Sequence, residues 1–400
     1  MTVVYFLSSV FGFHIEAGFA RQASSSTLIS TSYLDYPPCR SQTLYNTYFH
    51  PLASYSGPLY LIASNTPLAV LSLLGTSQYR LKAAHDKYGD IVRIAPGTLS
   101  YIKPQAWSNI YGYKPIGGGV GNFPNDPRFY NEMMLGKQTI TLASDEEAIP
   151  IRRSLNSAFS HRSLLEQEPM MQQHIGRLME QFEKQSTHNH SVDVRKWFTF
   201  SVFDINSDFG FGEDMGCVEN GVYHDWVKFV MDYFYAATLL HQCYKFWPLT
   251  RLLALHIPES TRKMQVNHNY ASLKRVRKRM GTDIRRSFAS IEDIKLQDAL
   301  SKLPYLKVVV QETLRIHAPL ANGFTRWVPD KNGAIICGQH VPQGTVVAIN
   351  HYCSNTSVSN FRDPMSFIPE RWMGDAAYTN DKREVVQPFS VGPRNCPGQQ

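Results

Sequence analysis

QPFSVGPRNCPGQQ, residues 387–400, sets one cysteine behind a Phe, a Gly and an Arg. Each neighbour has a use to a sulfur atom. Gly392 permits a backbone bend that turns amide N–H groups toward Cys396. Pro397 suits the first position of a helix. Cys396 then stands at a helix N-terminus, where the dipole and free N–H groups favour thiolate over thiol. Arg394 adds a permanent cation and Phe389 an apolar shield. Gly398 lets a large flat group approach the backbone. A lone cysteine is more often a buried thiol. These surroundings instead describe a thiolate held for a planar, metal-bearing group with acidic substituents, which is haem.

Two further elements carry charge in a helical context. Glu312 and Arg315 are three residues apart within LPYLKVVVQETLRIHAP, so they share a helix face. Val308, Val309 and Leu314 make part of that helix apolar. A surface pair of this kind is worth only tenths of a kcal/mol, whereas a buried guanidinium needs several partners. PERW at 369–372 offers Arg371 as a second cation. A glutamate flanked by two arginines would lock the helix to the late loop.

Composition bounds the remaining possibilities. The chain has 400 residues, 43% hydrophobic and 18% charged, with a net charge of +7. That is enough apolar material for a large core. The basic excess suits an acidic partner, an anionic surface or an anionic cofactor. The six cysteines are scattered and none forms a C-x-x-C, so neither a disulfide framework nor a zinc finger is indicated. VVYFLSSVFGF (3–13) is too short to span a bilayer, which takes about 20 residues, and no basic residue precedes it as in a signal peptide. GGGVGNFPNDP lacks the Gly-Lys-Ser/Thr ending of a phosphate loop. KRVRKRM (274–280) has no interleaved aromatics and reads as a solvated helix face, not a nucleic-acid patch.

Along the chain, residues 1–40 carry little pattern, 45–60 resemble a linker laid onto a domain, and folded structure is expected from about Leu71. Residues 78–88 read as a helix. DIVRIAP and TLSYI read as a hairpin turned at Pro96-Gly97, and KPQAWSNIYG as a short helix. Ser144 and Glu147 form a capping box opening a helix that contains Pro150. Met171, Ile175, Leu178 and Phe182 mark the core face of another helix, and KWFTFSVFDINSDFGFGEDMG a third. Further helical pattern covers 222–245 and 259–280. After 301 one helix gives way to the strands TRWVP, GAIICGQHVP and GTVVAINHYC. The fold class is mainly α with small β-sheets, an α+β arrangement.

Phe389, Gly392, Arg394, Cys396 and Gly398 together resemble the F-x-x-G-x-R-x-C-x-G signature of the cytochrome P450 family of haem-thiolate monooxygenases, whose cysteine-ligated haem is a known case. Glu312, Arg315 and Arg371 match the family's E-x-x-R and P-E-R elements. YFHPL, HDKYGDIVRIAP and LNSAFS are similar to fungal members of secondary metabolism. The resemblance covers roughly residues 40–400, so 1–40 is expected to be unstructured or aberrant and 41–400 a single cytochrome P450 domain. It implies iron protoporphyrin IX as cofactor, with Cys396 as the axial metal ligand and Phe389, Gly392 and Gly398 lining the cofactor. It implies that Arg394 and Arg326 meet haem propionates. Arg152 stands at the basic position of the family's W-x-x-x-R helix, although Ala148 occupies the tryptophan position. The implied reaction inserts one oxygen atom from O2 into a hydrophobic organic substrate. Electrons would come from NADPH through a cytochrome reductase, at the cytosolic face of the endoplasmic reticulum membrane, although no anchor is evident in the sequence.

The same resemblance implies two absences. No A/G-G-x-D/E-T sequence is found, so the long central distal helix and its catalytic acid–alcohol pair are expected to be missing, lost near Gly281–Asp283. The haem-backing helix after CPGQQ is expected to be absent as well. The fold is therefore expected to be incomplete, and the chain to fold poorly or hold haem loosely. The alternative carried beside the enzyme is a non-catalytic remnant or mis-assembled gene product.

Overall fold

The computed structural model describes residues 37–114, 122–126, 140, 143–158, 163, 166–187, 192–225, 227–228, 304–396 and 398. Short helices over 37–73 lead into α1 (Ser77–Tyr88), followed by β1 (Ile91–Ala95) and β2 (Thr98–Tyr101). The middle of the chain is helical: α2 (Asp145–Ala158), α3 (Glu168–Thr187) and α4 (Val194–Phe211). Then come α5 (Pro304–Ile316), β3 (Arg326–Trp327), β4 (Ala334–Ile336), β5 (Gln339–Val341), β6 (Val346–Ile349) and α6 (His351–Asn355). This is the mainly helical, small-sheet class read from the sequence.

Four strands form one mixed sheet in the order β1-β2-β6-β3, and β4 pairs with β5 in a second. The expected hairpin is present, with Ala95 opposite Thr98 across its turn. β2 then runs parallel to β6, Leu99 against Val347. This pairing joins the front of the chain to its last third. It carries Arg326 with it, because β3 is antiparallel to β6 with Arg326 opposite Val347.

Ordered packing begins before Leu71. Leu52 and Leu61 are fully buried. Arg93, also fully buried, donates from Nη1 to the Leu52 carbonyl at 3.3 Å and from Nε to that of Pro96 at 3.0 Å. The 45–60 segment is thus pinned to the domain by an arginine whose donors must find acceptors once out of water. KPQAWSNIYG also differs from expectation in kind, forming a π-helical turn over Trp107–Tyr111.

The capping box is as read: the Ser144 hydroxyl donates to Glu147 at 2.8 Å and accepts from the Glu147 N–H at 3.3 Å. On α3 the inward face is Met171, His174, Leu178 and Phe182, and Ile175 is exposed. His174 takes the buried place because Nε2 meets Asp208 of α4 at 3.1 Å. The helical pattern of 259–280, the gap near Gly281–Asp283, most of 222–245 and residues 1–36 lie outside the described residues.

Candidate haem-thiolate site

The cysteine sits on a closed loop. Its backbone N–H donates to the Phe389 carbonyl at 2.8 Å, and Asn395 N–H donates to Gly392 at 3.1 Å. Gly392 has φ +77°, the left-handed region that glycine enters without penalty. A Cβ there would overlap the Tyr111 carbonyl oxygen and stand 3.2 Å from the Gly112 Cα. Glycine is therefore required twice, for the bend and for the approach to the turn beneath. The Cys396 side chain is left exposed, and a Cβ on Gly398 would lie 3.8 Å from its sulfur. Phe389 is half-buried, and Pro397 lies outside the described residues.

Gly392→Ala is expected to displace this loop. The left-handed conformation alone costs a non-glycine residue roughly 1–2 kcal/mol, before the overlap with Tyr111 is counted. Haem retained per chain should fall severalfold and the melting temperature should drop. Gly97→Ala, whose Cβ meets nothing within 4 Å, should leave both unchanged. Equal behaviour of the two variants would show that the bend is not required.

Two arginines hold the loop from α2 and the segment before it. Arg152 of α2 donates to the Asn395 carbonyl at 2.8 Å and to its side-chain oxygen at 2.6 Å. Arg394 donates to the carbonyls of Ile140 (3.1 Å) and Ala143 (2.8 Å). Arg326 is nearly fully buried on β3, bonds Asn125 through Nη1 and lies with its guanidinium 5.3 Å over the Tyr111 ring. The structure therefore gives Arg152 and Arg394 protein partners at the Cys396 loop, and sets Arg326 on Tyr111, the residue beneath Gly392.

The floor of the site was not legible in the sequence. Trp107 donates its indole N–H to Val385 at 2.9 Å. The Tyr111 hydroxyl donates to the Phe324 carbonyl at 2.5 Å and accepts from the Ile349 N–H at 3.2 Å. The only hint was the i,i+4 aromatic pair in WSNIY. His351 packs 5.2 Å from Trp107, and burial pushes its imidazole down to about 4. Trp107, Tyr111 and His351 are all buried in this block.

Glu312, Arg315 and Arg371 are all fully buried and in direct contact. Glu312 accepts from Arg315 at 2.8 and 2.7 Å, Arg371 at 3.1 Å, Trp372 at 2.9 Å and the Ile368 N–H at 2.9 Å. Arg315 also donates to the carbonyls of Asn355, Pro364 and Ser366. Asp381, a partner that sequence reading missed, pairs with Arg371. Two cations thus meet two carboxylates. Burial raises the Glu312 carboxyl, but the bonds from Arg315, Ile368 and Trp372 outweigh it and hold the group below its ordinary value of 4.5.

The family model "Cytochrome P450" matches residues 67–292 and 271–400. The chain belongs to the cytochrome P450 family. Among its relatives, Cytochrome P450 monooxygenase astD of Aspergillus oryzae is 34% identical over 89% of this chain and 81% of its own length. Cytochrome P450 monooxygenase atr2 of Stereocaulon alpinum is 30% identical, covering 93% and 85%. Cytochrome P450 monooxygenase astA of Talaromyces wortmannii is 29% identical, covering 89% and 84%. These comparisons make this P450 a monooxygenase by family and haem its cofactor, and they do not support a non-catalytic remnant over that reading. The alignment with astD runs to 419 positions while using 89% of a 400-residue chain. The relative therefore has residues inside the matched region that this P450 lacks. Among the described residues no helix is long and apolar enough to cross a membrane.

Proposed function

We propose that Cys396 is the axial ligand of the haem iron and that this P450 oxygenates a hydrophobic organic molecule. One atom of O2 enters a C–H bond and the other leaves as water. NADPH supplies two electrons through a reductase, and two protons complete the balance. The observation that carries the reading is the closed Phe389–Cys396 loop, which presents an exposed sulfur beside two glycines. Among the described residues no three His, Cys, Asp or Glu gather as a metal cage. A single sulfur suits a metal whose other donors arrive with it.

Cys396 would hold haem, which would supply the oxygen-activating chemistry. The chain's own residues prepare the ligand. The exposed position of Cys396 leaves its sulfur accessible to an incoming group. Arg152 fixes the loop to α2 and Arg394 fixes it to the segment before α2, so the sulfur is aimed before haem arrives. Arg326 would supply a cation for a porphyrin carboxylate, and Phe389 would shield the sulfur. Glu312, Arg315 and Arg371 act structurally. Residues 41–400 form the working domain, and the cytosolic face of the endoplasmic reticulum is the proposed location. Fungal relatives make a secondary metabolite the favoured substrate class.

The test supplies the haem-loaded chain with reductase, NADPH and isotopically labelled O2 over a panel of hydrophobic compounds. A product carrying one labelled oxygen is expected. A purified chain that takes up no haem when offered it would overturn the proposal.

A further inference from the structure

We propose that Lys114 is a further anion-holding residue of this site, its ammonium meeting a carboxylate at the porphyrin edge beside Arg326. The inference rests on the reading of Cys396 as the haem ligand.

Lys114 lies two residues beyond Gly112, which abuts Gly392 of the cysteine loop. Its ammonium sits 3.0 Å over the Phe123 ring, and its backbone N–H donates to the Asn122 side chain at 3.0 Å. Phe123 and Tyr111 belong to one buried cluster against which Phe324 and Val391 pack. Lys114 on Phe123 and Arg326 on Tyr111 are therefore two cations stacked on aromatic faces of the same block. The segment 122–126 ties them together, because Asn125 bridges to Arg326.

A lysine ordinarily extends its ammonium into water and buries only its stem. Lys114 does the reverse: it is half-buried, and burial lowers the group to about 8. Cation–π attraction returns about 0.5–2 kcal/mol. Among the described residues no carboxylate pairs with it. Arg152 and Arg394 each direct two donors to Asn395 or to the backbone at Ile140 and Ala143. The family's tryptophan position is Ala148. A porphyrin with two carboxylates would thus draw on other cations, and Lys114 is half-buried on the same aromatic block that carries Arg326.

The test follows transfer of porphyrin from the loaded chain to an excess of apomyoglobin, for haem and for haem dimethyl ester, whose carboxylates carry no charge. Lys114→Met should speed haem loss by tenfold or more, the measure of one charge-assisted bond. It should leave loss of the ester unchanged, and Lys114→Arg should restore slow loss. Equal acceleration for haem and ester would reduce Lys114 to a packing role and overturn the inference. So would unchanged haem loss, which would also be the result if the cation serves an acidic substrate. A wild-type chain that holds neither porphyrin would sink the Cys396 reading and this inference with it.

Discussion

Cys396→Ser is expected to abolish the thiolate-type Soret band of the reduced, carbon monoxide-bound protein and to lower oxygenation by more than about 10²-fold, the scale of a single group acting in the chemical step. Serine preserves the geometry. The loop closes through the backbone N–H of residue 396 to Phe389, a bond the substitution leaves in place. The side chain is exposed, so no cavity opens. What changes is the donor: a hydroxyl is a harder, much weaker acid than a thiol and does not push electron density as a thiolate does. Unfolding free energy of the haem-free chain should move by less than about 0.5 kcal/mol, as for other exposed sites. Loss of the band with intact stability separates a ligand from a structural cysteine. Retention of the same band would show that another residue holds the iron.

Glu312→Gln is expected to have the largest effect on folding. The amide matches the carboxylate in size but carries no charge, and its NH2 must face an arginine or the indole N–H. Arg315 and Arg371 would then share Asp381 as the remaining buried carboxylate, which contacts Arg371. Removing one partner of a buried ion pair costs about 3–5 kcal/mol, a large part of a stability of about 5–15 kcal/mol. The urea midpoint should fall steeply and soluble yield with it. A shift worth under 1 kcal/mol would mean the cluster is incidental. The same carboxylate gives a pH dependence. Its folded value lies below the ordinary 4.5, so its contribution is full above that value and fades as pH falls through the depressed one. Acid unfolding should begin below about pH 4.5, and Glu312→Gln should flatten that limb.

The motifs were legible because each is local. FSVGPRNC states its bend, cation and sulfur within eight residues, and ETLR states its pair within one helical turn. The fold class was legible for the same reason, since helical and strand periods are short-range signals. The start of ordered packing lies before Leu71 because the anchor of the early segment is Arg93, whose acceptor is the carbonyl of Leu52. Ile175 was placed inward because apolar character outranks histidine in a pattern, whereas Asp208 on α4 makes His174 the better inward residue.

Residue identities alone marked the candidate sulfur ligand, the glycine at 392 and the charge pair on α5, since a sulfur, a missing Cβ and a guanidinium are properties of the residue itself. They left open where each cation is used. Arg152 meets Asn395 across 243 residues, and Arg394 meets the backbone at Ala143 across 251. Backbone carbonyls are carried by every residue, so no letter in the chain marks the one that folding will bring within reach.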